Sequence, residues 1–243
     1  MNRTRRQFLC VPLLAAVPAL ARSAPLRMVV VDLMPWAGRN ANGQLEGAAV
    51  DLAPILSSLS GLPIVINAVP YARAIAMLAG GDADLMLAVD ASPDGALPAP
   101  LAAVGQEDVV IVGRRGTRYA STRELCGRQI ALLRRASFRT TLDSCIKRYE
   151  TNSYQQGLRM LSQGRLDGVA GVRSSMDYAI RQLGLKPSDT GTPLVIGQAD
   201  ISLYLSPQAA TPALTARLQQ ACAELQRQKQ MPALLAQYRQ TRD

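Results

Sequence analysis

The amino-acid sequence predicts an α/β fold of two similar lobes, each a mostly parallel sheet flanked by helices, with a ligand crevice where the strands end. Two observations carry this. The first is an internal repeat: Tyr71 to Leu87 (YARAIAMLAGGDADLML) is echoed by Tyr154 to Gly171 (YQQGLRMLSQGRLDGVAG). At one offset of 83, Tyr71 matches Tyr154, Met77 matches Met160, Leu78 matches Leu161, Gly81 matches Gly164 and Asp84 matches Asp167, without a gap. The second is the grammar inside each copy. Apolar residues recur at helical spacing (Ile75 and Leu78; Leu158 and Leu161), and a glycine follows that can take a left-handed turn. Then come an acidic residue and an apolar run too short for a helix, Leu85 to Val89 or Val169 to Val172. Helix, tight turn and buried strand supply the parallel strands of an α/β sheet, and two such units far apart place one in each lobe. The alternative is a chance echo within one undivided core.

The elements follow in order. Residues 1–21 have a basic start, an apolar middle from Phe8 to Leu20, and small Ala19 and Ala21 at the minus-three and minus-one places of a cleavage site. That is a secretory signal peptide, its apolar run too short to span a bilayer. Arg5-Arg6 ahead of Phe8-Leu9 also fits a twin-arginine signal, so both export routes stay open. No later run is long enough for a membrane helix, so the mature chain is expected to be a soluble periplasmic monomer. Leu26 to Leu33 reads as a first buried strand with Asp32 near its exit, followed by Pro35-Trp36 and the turn chemistry of Asn40 to Gly43. Asp51 opens an amphipathic helix (Leu52, Ile55, Leu56, Leu59) that Gly61 ends, and Pro63 to Val69 is the next strand. After the first repeat copy, Asp90 to Pro100 is a loop and Val109 to Val112 a crossover strand leading to Gly113-Arg114-Arg115-Gly116. Ile130 to Leu133 starts the second lobe, and Ser137 is placed to cap a helix carrying Leu142, Cys145 and Ile146. The second copy follows, then a helix from Ser175 to Leu183, a returning strand from Ile201 to Leu205, and a helical region from Pro212 to Tyr238 interrupted at Pro232.

Composition bounds the chemistry. With 48% apolar and 19% charged residues, 243 residues make one large or two small folded domains rather than a disordered chain. The net charge of +9 includes Arg3, Arg5 and Arg6 of the leader, and the remaining basic residues are spread along the chain. A nucleic-acid binder would cluster them with aromatics. There is no histidine, which excludes Ser-His-Asp and Cys-His catalysis and any histidine-ligated metal. Four cysteines form no C-x-x-C, and neither a metal nor a cofactor is implied. Cys126 and Cys145, 19 residues apart across the start of the second lobe, are expected to form a disulfide in an oxidising compartment, with Cys222 a buried free thiol. Asp51, Asp84 and Asp167 stand at a helix start and before strands, which favours caps and turns over paired-carboxylate catalysis.

The order of strand, Pro-aromatic, Asn-x-Gly turn and Gly47-Ala48-Ala49-Val50-Asp51-Leu52 resembles the extracytoplasmic solute-binding proteins of family 3, the amino-acid-type receptors of ABC importers. Both Gly-x-x-Asp copies, Glu124-Leu125-Cys126-Gly127 and the closing helix resemble that family too, so the likeness covers nearly all of the mature chain. The resemblance implies a periplasmic-binding-protein type II fold: residues 25–111 plus 202–243 as one lobe, 112–201 as the other, and two crossover strands about which they close on a solute. The implied partner is an ABC permease. A membrane sensor is the rival partner, and a dehydratase-like enzyme on the same fold a third reading, disfavoured by the absence of histidine; no enzyme activity is expected.

Ligand contacts are read from residue types and from the places the resemblance gives them. Trp36, the single tryptophan, sits where the family places an aromatic over the ligand; an ordinary core aromatic is the alternative. Tyr71 and Arg73 open a helix facing the crevice, and Arg73 can take a carboxylate in a two-pronged pair or simply be solvated. Ser137, flanked by Arg135 and Arg139, can offer a hydroxyl and helix-start amides to an anion. Asp90 is a candidate polar contact or a turn residue. The family's α-carboxylate arginine falls at Ala96 and a threonine place at Ala91; its ammonium-binding aspartate falls at Val172, followed by Arg173. Both halves of the zwitterion clamp are therefore missing, and the expected ligand is a small polar or anionic solute other than a standard α-amino acid, held by Arg73, Arg173 or the Arg135 region.

Overall fold

Residues 24–89, 97–134, 136 and 142–240 are described by the computed structural model, side chains as far as Tyr238; the predicted leader, Asp90, Arg135, Ser137 and Arg139 lie outside them. The chain opens with β1 (Leu26–Val31), a small hairpin of β2 (Gly38–Arg39) and β3 (Leu45–Glu46), and α1 (Ala48–Ser60). Next come β4 (Ile64–Val69), α2 (Tyr71–Gly80), β5 (Leu85–Val89) and the long β6 (Ala102–Gly113). The second lobe holds β7 (Gln129–Leu133), β8 (Lys147–Thr151), α3 (Tyr154–Ser162), β9 (Gly168–Val172) and α4 (Arg173–Gln182). The long β10 (Leu194–Leu205) leads back to α5 (Pro212–Arg227) and α6 (Gln230–Gln240).

Eight strands form one hydrogen-bonded sheet in the order β4-β1-β5-β10-β6-β9-β7-β8. Its two ends have one design. In the first lobe β1 lies between β4 and β5, parallel to both, with Met28 opposite Ile66 and Leu85. In the second, β7 lies between β8 and β9, parallel to both, with Ala131 opposite Tyr149 and Val169. The repeated segment supplies the equivalent pieces, α2-β5 and α3-β9. The antiparallel pair β6 and β10 runs from Ala102↔Leu203 beside β5 to Ile111↔Leu194 beside β9, so both strands cross between the lobes.

The inner strands of each parallel set, β1 and β5 in one lobe and β7 and β9 in the other, are covered on both faces, which is why they read as largely apolar runs. On one face of the first lobe, Leu52 and Leu56 of α1 and Leu218 and Leu225 of α5 pack with Met28 and Leu85; on the other, Ile75 and Leu78 of α2 pack with Val29 and Met86. In the second lobe Tyr154, Leu158 and Leu161 of α3 and Met176 of α4 pack on Ala131 and Val169. The remaining cluster gathers Val109, Ile130, Leu142 and Ile146, and Tyr71 and Val89 of the first lobe reach across to it.

The repeated aspartates do one job in both lobes. Asp84 accepts from the backbone N–H of Arg27 at 2.8 Å and returns its own N–H to the Arg27 carbonyl at 2.9 Å. Asp167 does the same to Gln129, at 2.9 Å in each direction. Each thus fastens the start of the central strand, and each carries an arginine, Arg27 at 2.8 Å and Arg114 at 2.6 Å. Asp51 lies in the first turn of α1 and accepts from the Tyr238 hydroxyl at 2.8 Å. Cys126 and Cys145 are joined as a disulfide; Cys222 is a buried free thiol whose pKa is pushed up to about 12 by burial.

Two expectations need correction, and one strand was not expected. Residues 142–146 turn rather than continue a helix from Ser137: Leu142 and Ile146 are buried because the chain folds down onto the second core, and Cys145 is tied to Cys126. Strand β8 follows, unforeseen because Lys147 to Glu150 is a polar edge strand with no apolar alternation. The C-terminal helical region breaks at Gln228-Lys229, where Lys229 is left-handed (φ 52°); Pro232 sits in the first turn of α6, where its missing N–H is not needed.

Candidate functional site

The cleft lies where β1 and β5 of one lobe and β7 and β9 of the other end. Beyond β1 the chain turns sharply, the Trp36 N–H donating to the Leu33 carbonyl at 2.9 Å. The first amides of α1 then fix this turn, Ala48 donating to Pro35 and Ala49 to Trp36 at 2.8 and 2.9 Å. Gly47 makes that approach possible: its φ is 133°, and a Cβ there would lie 2.4 Å from the Trp36 carbonyl oxygen. The indole is held rigidly, 6% exposed, between the first core and the cleft.

Tyr154 faces it from the other lobe. Ser153 caps α3, its hydroxyl accepting from the Gln156 N–H at 3.1 Å, which fixes where Tyr154 leaves the helix. The Tyr154 hydroxyl accepts from the Val172 N–H at 3.3 Å. Gly171 is required beneath the ring, because a Cβ there would lie 2.3 to 2.5 Å from ring and hydroxyl atoms. Burial pushes the phenol pKa up, and the Glu107 carboxylate and Tyr71 nearby push it the same way, so Tyr154 stays a neutral phenol. Glu107 itself is buried on β6 and accepts from the Ser174 N–H at 3.3 Å.

Two connected compartments result. The inner one, about 60 Å³, lies between Val30, Trp36, Tyr71 and Leu87 of the first lobe and Leu133, Tyr154 and Val172 of the second. Among the described residues of its lining, the two tyrosine hydroxyls and the indole N–H are the side-chain polar groups, and none is charged. The outer one, about 780 Å³, shares Val31, Leu33, Tyr71 and Leu133 with it and opens past the starts of α2 (Pro70, Ala72) and α3 (Asn152, Ser153). Among the described residues its charged groups are Arg39, Arg134 and Arg159 against Asp32.

The candidates from sequence distribute unevenly. Trp36 and Tyr71 line the inner compartment. Arg73 is exposed on α2 and lines neither compartment. Arg173 starts α4 but its guanidinium donates to Asp108 of β6 at 3.0 Å, which turns it to the crossover rather than the cleft. Asp90, Arg135, Ser137 and Arg139 fall outside the described residues. Ser153, not named from sequence, is a helix-capping serine that borders the outer compartment. Tyr154 was within reach through its match to Tyr71. The arginines at 39, 134 and 159 were not, since exposed arginines carry no periodic signal. Among the described residues no group of three His, Cys, Asp or Glu side chains is arranged to hold a metal ion.

No family model and no curated protein matches the chain. Solved structures do. The VFT2 domain of Bordetella pertussis BvgS superposes with a TM-score of 0.73 at 19% identity, over 88% of this chain and 93% of that one. The substrate-binding protein of an amino acid ABC transporter gives 0.67 at 15% identity, over 88% and 99%. A histidine kinase sensor domain similar to periplasmic binding proteins gives 0.68 at 18% identity, over 89% and 96%. Together with the crossover pair and the repeated parallel units, these neighbours show that the chain has the two-lobed fold of the periplasmic binding proteins.

Proposed function

We propose that the chain is a periplasmic receptor that closes on a small solute between its lobes and delivers it to an ABC importer. The observation that carries this is the meeting of Tyr71 and Tyr154, equivalent residues of the two repeats, across one compartment. Two crossover strands are the hinge such closure uses, and the pairing of β6 with β10 shifts register between Val195 and Gly197 and between Ile201 and Ser202. The resemblance to family 3 receptors and the secretory leader support the same reading. The solute is not a standard α-amino acid held by the usual clamp. Apolar Val172 lines the inner compartment at the aspartate's place, and Arg173 is engaged by Asp108. The protein acts by binding and not by catalysis.

A sensory role is the second reading, favoured by the BvgS and histidine kinase neighbours. In that case the closed lobes report to a membrane protein. Thermal melting of the mature chain against amino acids, polyamines, dicarboxylates and aromatic acids tests the receptor. A ligand at a hundred times its Kd adds about 2.7 kcal/mol and raises the melting temperature; no shift across the set would remove the proposal. Deleting the gene separates the two roles: solute uptake falls for a transport receptor, whereas a sensor leaves uptake intact and abolishes the response.

A further inference from the structure

We propose that the ligand is an amphipathic anion, its apolar end reaching from the outer compartment into the small inner one and its anionic group, of carboxylate type, at the outer arginines. This rests on the receptor reading above and names the chemistry of that site. Among the described residues the inner compartment is walled by aliphatic and aromatic groups, and no charged side chain lines it. An ionic group placed there would lose its water with nothing ionic to replace it, a cost of several kcal/mol. The charged end of any ligand therefore faces outward.

The outer compartment selects the sign of that charge. Among the described residues of its lining, Arg39, Arg134 and Arg159 are the bases and Asp32 the one acid. Arg39 spends one Nη1 contact on the Gly43 carbonyl at 2.7 Å, and Arg134 has only a loose pair with Glu150 at 3.7 Å, both side chains more than 60% exposed. A guanidinium carries five N–H donors, so each keeps a face for a carboxylate. The second lobe as a whole, residues 112–201, carries 15 Lys and Arg against 7 Asp and Glu, and the first, residues 25–111 and 202–243, carries 8 against 11. Its wall of the cleft thus sits in a positive field that concentrates anions and repels amines. The starts of α2 and α3 border the same space with the positive ends of their dipoles, although the Arg73 and Gln156 amides are already taken by the Pro70 carbonyl and the Ser153 hydroxyl. A volume of 780 Å³ beside the apolar recess suits a small organic acid.

Calorimetry on the mature chain with phenylacetate, its neutral amide, phenethylamine, L-phenylalanine and acetate tests this. Phenylacetate is expected to bind at least tenfold more tightly than the amide and than acetate, with the amine weaker still. Raising salt should weaken the acid and spare the amide. Arg159→Gln and Arg134→Gln, both exposed and checked for an unchanged melting temperature, should each weaken phenylacetate severalfold without changing the amide. Equal affinity for acid and amide, or tighter binding of the amine or the zwitterion, overturns the anion assignment while leaving a receptor. No binding of any acid together with a hit elsewhere in the broader melting screen does the same. No binding in either panel overturns both.

Discussion

Asp84 and Asp167 hold one position in two lobes, each carboxylate accepting the amide that starts a central strand and facing an arginine. For Asp84 the Arg27 guanidinium, and then the Arg27 backbone N–H, hold the carboxyl below its ordinary pKa against the opposing pull of burial. The sign of the linkage follows. The folded state binds this proton less readily than the unfolded chain, so the stabilisation is complete above the ordinary carboxylate pKa of about 4 and is lost as pH falls through the lower folded value. Asp84→Asn should therefore lower stability at neutral pH and flatten the loss of stability on the acid side of about pH 4. Urea melts at several pH values read this directly, and parallel curves for both proteins would refute the role. Much of the residue scale was readable beforehand: the offset of 83 marked both aspartates and both tyrosines. What was not readable depends on direction. Arg73 and Arg173 belong to the right helix starts, yet one faces solvent and the other Asp108, and nothing in spacing encodes that.

At the scale of elements, the helix-glycine-aspartate-strand unit was legible because each step has a local cause, whereas β8 and the β2-β3 hairpin were not. β8 is placed by its pairing with β7, and β2 and β3 are two residues each, too short to carry a pattern of their own. The glycine step can be isolated at Gly164. Its φ is 73°, it stands just past Gln163, the C-cap of α3, and a Cβ there would meet nothing within 4 Å. Crowding is thus absent, and the substitution Gly164→Ala pays only for a left-handed backbone, partly offset by the stiffer unfolded chain. A loss of about 1 kcal/mol is expected, and Gly164→Asn, which tolerates that conformation better, should lose less. Denaturant titration of the three proteins gives the ranking; alanine as stable as glycine would show that this turn does not set the end of α3.

For the whole molecule the open question is whether two lobes with separate cores behave as one. The sheet answers structurally: β6 and β10 are paired with each other from Ala102↔Leu203 in one lobe to Ile111↔Leu194 in the other, and Tyr71 and Val89 of the first lobe pack on the second lobe's core. Unfolding the second lobe would strand half of each long strand and uncover that contact. The two lobes are therefore expected to unfold in a single transition, although each holds its own hydrophobic clusters. The disulfide and the single tryptophan make this measurable, because they stand in different lobes. Replacing Cys126 and Cys145 by alanine releases a loop closed across 19 residues of the second lobe, worth about 3 kcal/mol. For a chain of this size that lowers the melting temperature by roughly 6 to 12 °C. Trp36 is buried in the first lobe's core and borders the second lobe at the cleft, so its main fluorescence change follows the loss of the first lobe's packing. If the sheet couples the lobes, Trp36 fluorescence and far-ultraviolet circular dichroism shift together by that amount in the double variant. A tryptophan transition that stays in place while the dichroism splits into two steps would mean that the crossover strands act as a free hinge and transmit no stability. A receptor that must register closure in both lobes needs the first result, since only a coupled sheet carries the binding energy of one wall to the other.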